Sequence, residues 1–184
     1  GRPNPFRALA LRANPSRAYV ATLGSEWEAF YAQKRSAATR KTERKQAKRL
    51  AENGAVTLVE PQSSADRVAV IDTLIDQKRQ AFARMGADDI FSRPGTAQFY
   101  RAVAASDALR GLVGVERLDI GSEIGAASVM PIDRGTCSLI LSSYHGGALA
   151  QHGPGRAHLH ALMRRAIDGA VASMTDRTAA AQAA

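Results

Sequence analysis

Three strand-like runs, Leu112–Ile120, Ile124–Ile132 and Thr136–Tyr144, follow one another with only "GSE" and "DRG" between them. Connections that short cannot carry a crossover, so the runs pair as antiparallel neighbours in a meander. What surrounds the meander reads differently. Upstream lie mostly helical patterns, and downstream a glycine-rich stretch leads into another helix. This order predicts an α+β layout, with helices packed against a largely antiparallel sheet.

The helical patterns carry their own boundaries. Ser25 stands where an N-cap belongs, Glu26 and Glu28 face the positive helix end, and Trp27, Phe30 and Tyr31 recur at core spacing. Large apolar residues then stop until Leu50, and Gly54 suits the position just past the helix end. "AVTLVE" (Ala55–Glu60) reads as a strand stopped by Pro61. A helix follows from Ser64 to about Met85, with Val68, Ile71, Ile75, Phe82 and Met85 on one stripe. A shorter helix carries Phe99, Tyr100 and Val103. The last helix runs from about Gly155 to Val171, with Leu159, Leu162, Met163, Ala166 and Ile167 inward. Ala18–Leu23 reads as a short strand. Residues 1–17 read as an extended lead-in, 18–172 as one domain and 173–184 as a disordered tail.

At 184 residues the chain is long enough to bury a core. No run approaches the roughly 20 apolar residues of a membrane span. The start has no continuous apolar segment of a secretory signal. A single cysteine, Cys137, rules out an internal disulfide and suits a reducing compartment, so the cytoplasm is the expected location. Its mid-strand position reads as buried.

The net charge of +8 is local: Lys34–Arg49 holds eight cations against Glu43 alone, a net +7. A nucleic-acid grip would place a Lys/Arg stripe on phosphates. By helical geometry these cations wrap more than half the circumference, and no aromatic residue lies among them for base stacking. A solvated helix that attracts anionic ligands accounts for the pattern. Binding of nucleic acid or another anionic polymer is the alternative reading.

Chemistry concentrates in "SSYHGGALAQHGPGRAHLHALMRRAI", Ser142–Ile167. A strand ends, glycines 146, 147, 153 and 155 follow, and a helix opens with Arg156 in its first turn. Glycines let backbone N–H groups approach an anion, and the helix start adds unpaired donors and a positive dipole end. This reads as a phosphate cradle, although a flexible surface loop with ordinary helix-start glycines is the commoner case for such spacing. His145, at the strand end, is the histidine best placed for general-base work, although a loop histidine without such a role is the commoner case. His158 and His160 do not face each other, and no carboxylate or cysteine lies at ligand spacing, so no metal site is expected. Glu116 falls on the inward alternation. It either takes a proton from an amine, or pairs with an arginine or sits at the sheet edge, and the latter, structural reading is the simpler one.

The succession "EWEAFYAQKRSAATRKTERKQAKRLAENG", "FARMGADDIF", "FYRAVAAS", "GLVGVERLDIGSEIGAASVMPI" and "LILSSYHGGALAQHGPGRAHLHALMRRAI" resembles the BioF2-like, cellulose-biosynthesis CelD-type branch of the GNAT acyltransferases. The resemblance covers Ser25–Gly169. It implies a GNAT-like fold with a mixed, mostly antiparallel sheet flanked by helices. It also implies transfer of an acyl group from acyl-CoA to an amine or hydroxyl acceptor, with a link to polysaccharide biosynthesis. Carried onto this chain, it assigns Gly153, Gly155 and Arg156 to the cofactor phosphates. Leu141, Ser142 and Ser143 would flank the pantetheine arm through backbone groups. Tyr144 is the candidate acid for the leaving thiolate, with His145 as the other catalytic candidate. The family pattern continues past the last helix into further strands that are absent here, so a truncated sheet with an unpaired edge is expected.

Overall fold

The computed structural model describes residues 20–182. In it β2 (Val113–Ile120) and β3 (Glu123–Asp133) pair antiparallel from Val113↔Pro131 to Ile120↔Glu123. Between Leu118 and Asp119 the register shifts by one residue. The extra residue is Gly125, and the Ile120 side chain occupies the space its Cβ would need. β1 (Val56–Val59) adds to the outer edge of β2, from Val56↔Ile120 to Val59↔Arg117. All the pairings described are antiparallel, as the short connections require.

The third run of the meander is interrupted. β4 (Thr136–Cys137) pairs with Asp133 and Ile132, and β5 (Leu141–Tyr144) pairs with Val129 back to Ala126. Ladder contacts persist between them: Ser138 N–H donates to Pro131 C=O at 2.9 Å and Ile140 N–H to Val129 C=O at 3.3 Å. Ile140 and Leu141 therefore both oppose Val129, the two-against-one pattern of a β-bulge, which bends the strand and increases its twist. Cys137, expected inside, is exposed because this part of the strand lies at the sheet margin.

One sheet face is covered by α3 (Ser64–Met85) and α4 (Thr96–Ala105). Val70, Ile71, Leu74, Ile75 and Phe91 pack there on Val115, Ala127, Val129 and Leu141. Ser63 caps α3 by accepting the Asp66 N–H at 3.0 Å, and Gly86 ends it at φ +63°. Met85, expected on the core stripe, is exposed at this last turn. Arg67 is buried on the same side. Its Nε donates to Ala104 C=O and its Nη2 to Val113 C=O, each at 2.9 Å, tying α3 to the end of α4 and the start of β2.

The opposite face carries α5 (Pro154–Gln182) with α1 (Trp27–Lys34) and α2 (Ala37–Ala51) beside it. Leu50 packs with Leu118, Ile120, Ala126 and Leu149, while Trp27, Phe30 and Tyr31 close on Ile167. The single amino-terminal helix expected from the sequence is two. Arg35 is extended, and the Ser36 hydroxyl accepts the Thr39 N–H at 3.2 Å, a local cap that wins over helix continuation. Glu26, not Ser25, caps α1, its carboxylate accepting N–H groups of Glu28 and Ala29. Val20–Leu23 is not a strand; the rest of that expected element, and the lead-in, lie outside the described residues. The last helix continues past Val171 through the alanine-rich segment to Gln182, in keeping with the helix propensity of alanine. Leu159, expected inward, is among the exposed apolar residues.

The turn from α2 into β1 passes against the β2–β3 hairpin with almost no clearance. A Cβ on Gly54, at φ +132°, would lie 2.5 Å from the Gly121 Cα. Gly86 also has positive φ but faces open space. We therefore expect Gly54→Ala to destabilise by more than about 3 kcal/mol, through backbone strain plus collision. Gly86→Ala should cost about 1 kcal/mol. Urea denaturation of the two variants checks the contrast, and equal losses would contradict it.

Candidate active site

Where β5 ends, α5 begins close by. A 3-10 turn at Ala150–His152 leads into Gly153, which at φ +68° and ψ +51° occupies the left-handed region. Its carbonyl then accepts the N–H groups of Arg156 and Ala157, both at 3.1 Å. Pro154 follows at the first helical position, where its missing N–H costs nothing and its fixed φ fits. Gly155 comes next, and a Cβ there would sit 3.2 Å from the Tyr144 ring. The last residue of the strand thus rests on the first turn of the helix, through a contact that only glycine leaves unstrained.

Between these elements lies a cleft of about 410 Å³, bounded by Ser142, Tyr144, Gly155, Arg156, His158 and Leu162 among others. β5 pairs only with β3 among the described residues. His145 N–H donates to Gly125 C=O at 2.8 Å. Antiparallel alternation then turns the backbone groups of Ser143 and Leu141 toward β3 and those of Ser142 and Tyr144 toward the free edge. An elongated ligand with amide groups can pair with that edge as a strand would.

The cation at the cleft is held from behind. Arg156 donates from Nη2 to Gln46 Oε1, and its Nε lies 3.7 Å from Glu43 Oε1. Its guanidinium lies over Gly153, 2.7 Å from where a Cβ would be. Glu43 is the one acidic residue of α2 and is buried. The Tyr31 hydroxyl donates to it, and Arg35 Nε approaches it to 3.7 Å. Burial, together with that carboxylate, pushes the Tyr31 phenol up to about 12. His160 packs on Trp27 and Tyr31 at ring separations of 5.4 and 5.3 Å, and burial holds its imidazole below the usual value.

Beneath α5 a polar rung crosses the sheet: Glu116 on β2 opposes Ser128 on β3, which opposes Ser142 on β5. Glu116 is ion-paired to Arg165, one of the two arrangements that the simpler sequence reading allowed. Burial nonetheless raises its carboxyl above the ordinary range, and Oε2 has no partner. Ser128 Oγ lies 2.9 Å from His158 Nε2. Burial, with a smaller contribution from Arg165, lowers the His158 imidazole to about 4, so it is neutral at physiological pH.

Of the residues singled out from sequence, the fold brings Ser142, Ser143, Tyr144, Gly153, Gly155 and Arg156 together around the cleft. The Ser143 side chain points the other way, donating to Gln77 Oε1 at 2.8 Å. Leu141 is turned into the core against α3. The His145 ring accepts the Gly147 N–H at 3.1 Å through Nδ1 and so closes the loop. Sequence reasoning passed over Glu43 and Gln46, which hold Arg156, and His158, which lines the cleft. For Glu43 a signal existed: a lone acid among eight cations, two turns before the returning leucine. No sequence signal points to His158. Among the described residues no group of His, Cys, Asp or Glu is arranged to hold a metal, and no helix is long and apolar enough to cross a membrane.

The low His158 value has a consequence for stability. An unfolded histidine takes up its proton near pH 6.5, whereas folded His158 does so only near 4. Stability is thus full above about pH 6.5 and falls as the pH drops toward 4, by about 3 kcal/mol from this residue. Glu116 acts in the opposite direction, since a raised folded value favours folding as pH falls. His158→Asn should therefore flatten the pH slope between 7 and 4 relative to the parent, whatever its effect at pH 7. Urea midpoints at four pH values provide the test, and an unchanged slope would contradict it.

No curated protein matches the chain. A family model described as Acetyltransferase (GNAT) domain matches residues 37–175. That range runs from the start of α2 through the sheet and the cleft into α5. The mixed α+β architecture, with its curled antiparallel sheet and flanking helices, accords with that match. GNAT domains carry out acyl transfer and generally draw the acyl group from acyl-CoA. The chain belongs to the GNAT acetyltransferase domain family.

Proposed function

We propose that the chain moves an acyl group from acyl-CoA to an amine or hydroxyl acceptor at the cleft between β5 and α5. One observation carries this reading: the free edge of a bulged strand and the glycine-opened start of a helix converge on the same cleft. The residues present fit such a donor. Gly153 and Gly155 add no side chain of their own at the helix start, where the Arg156 guanidinium and the Tyr144 ring lie over them and the positive dipole end favours an anion. Arg156, held by Glu43 and Gln46, adds a fixed charge for the phosphates. The outward backbone groups of Ser142 and Tyr144 pair with the amides of the pantetheine arm, and Leu141 and Ser143 fix the strand that presents them.

When bound, the donor supplies an activated thioester carbonyl. Rate enhancement then comes chiefly from holding that carbonyl and the acceptor in register and from excluding water. Tyr144, half-exposed at the cleft, is the hydroxyl available to protonate the departing thiolate. His145 serves by shaping the loop that precedes the helix. The CelD-type resemblance is the ground for seeking the acceptor among the amines and hydroxyls of polysaccharide biosynthesis. The exposed cations of α2 leave a nucleic acid as the competing ligand, and the same experiment decides between them.

Calorimetric titration with acetyl-CoA should show binding, and Arg156→Ala should weaken it about tenfold or more, as loss of a charged hydrogen bond does. Near-saturating acetyl-CoA, at about a hundred times Kd, should stabilise the fold by about 2.7 kcal/mol. Absence of binding at millimolar acetyl-CoA would overturn the proposal. Stabilisation by a duplex oligonucleotide alone, lost at high salt, would transfer the function to α2.

A further inference from the structure

The Ser128–His158 pair is left over once the donor's phosphates and the strand edge are accounted for. Ser128 is fully buried, and His158 is 3% exposed while forming part of the cleft wall. Among the described residues the Ser128 hydroxyl has one hydrogen-bond partner, His158 Nε2. A buried O–H without an acceptor is costly, so the serine proton goes to Nε2. A neutral imidazole that accepts at Nε2 carries its own proton on Nδ1. That Nδ1 is buried and has no partner. The result is a buried N–H donor, in a residue of the cleft wall, with nothing to donate to.

Every other feature of the pair preserves that donor. The ring is not charged at neutral pH, because burial and the nearby Arg165 guanidinium both disfavour a second proton. Arg165 itself is engaged by Glu116 through Oε1 and, at 4.0 Å, by Glu60, and among the described residues no hydrogen bond joins either carboxylate to Nδ1. Ser128 is fixed by its place between Glu116 and Ser142 on the rung. His160 and His152 are on other sides of the helix start and in the loop, and neither is among the residues lining the cleft.

We propose that His158, oriented by Ser128, is a binding residue that donates its Nδ1–H to a carbonyl oxygen of the acylated pantetheine arm. The inference rests on the acyl-CoA reading above and adds to it a polar contact beyond the phosphates. Two carbonyl sources share this chemistry: the amides of the arm and the thioester itself. If the thioester is the partner, His158 touches the reacting group, and the bond strengthens as the carbonyl oxygen gains negative charge. A neutral imidazole is suited to that work because it donates without needing a low pH.

Nitrogen-detected NMR of the unaltered protein, with the four histidines assigned using His145→Gln, His152→Gln and His160→Gln variants, reads the proposal directly. In the free protein His158 should show a protonated Nδ1 and an unprotonated Nε2. Calorimetry on the same sample establishes whether acetyl-CoA and free CoA bind. A change at Nδ1 with both ligands supports an amide of the arm, and a change with acetyl-CoA alone supports the thioester. Ser128→Ala should weaken acetyl-CoA binding about fivefold, the loss expected for one hydrogen bond. Bound acetyl-CoA with an unmoved His158, or a proton found on Nε2, overturns the His158 assignment and leaves the acyl-CoA reading standing. Failure of acetyl-CoA to bind at all removes both.

Discussion

A single buried carboxylate organises the half of the molecule that holds the cleft. Glu43 accepts from the Tyr31 hydroxyl on α1, is flanked by Arg35, and draws Arg156 of α5 toward α2. Burying a charge is costly unless it is hydrogen-bonded and paired, and here three elements must dock together to satisfy it. The same arrangement lets α2 pack inward at all. With Glu43 and Leu50 on the inner side, the cations of the helix other than the half-buried Arg40 are left to solvent. Through Gln46 and Glu43 the guanidinium of Arg156 is held against Gly153, so the charge at the cleft is fixed by groups that are not in it.

The sheet contributes in two ways that differ between its faces. Toward α3 it is mostly apolar, with Arg67 donating from Nε and Nη2 to backbone carbonyls and Ser143 to Gln77. Toward α5 it carries the rung of Glu116, Ser128 and Ser142, a line of polar groups that a helix must cover. Two bulges shape the result. Gly125 lets Ile120 fold across the β2–β3 ladder, and the two-against-one pairing at Val129 separates β4 from β5. The second leaves a short free strand end beside α5, in place of a long flat edge.

Much of this was legible in the chain. The tight "GSE" and "DRG" turns and the alternation beside them specify β2 and β3, and the apolar stripe between Ser64 and Met85 outlines α3. The glycine-opened helix start is equally local, which is why Gly153, Gly155 and Arg156 stood out together. What escaped notice depends on pairs far apart in sequence. Ser36 stops a helix that composition would continue, because a hydroxyl three residues upstream captures the Thr39 N–H. The extra residue opposite Val129 is invisible until the register is known. Arg156 finds Gln46 across 110 residues and His158 finds Ser128 across 30, and no periodicity encodes either meeting. Cys137 was placed inside by its strand position, but a two-residue strand at the margin buries little.

The outward charge of α2 is left with a kinetic meaning. Lys41, Lys45 and Lys48 recur at helical spacing on the side away from Glu43, and all are exposed. Such a row projects a field several ångströms into solvent and guides polyanions to the neighbourhood of the helix before any contact forms. Capture then slows as ionic strength rises, since salt screens beyond about 10 Å at 0.1 M. Escape of a ligand bound as proposed would depend on close contacts in the cleft, which salt screens less than it screens the approach. On the proposed reading, the basic helix would set how quickly an anionic donor arrives, and the partly enclosed groups around Arg156 would set how long it stays.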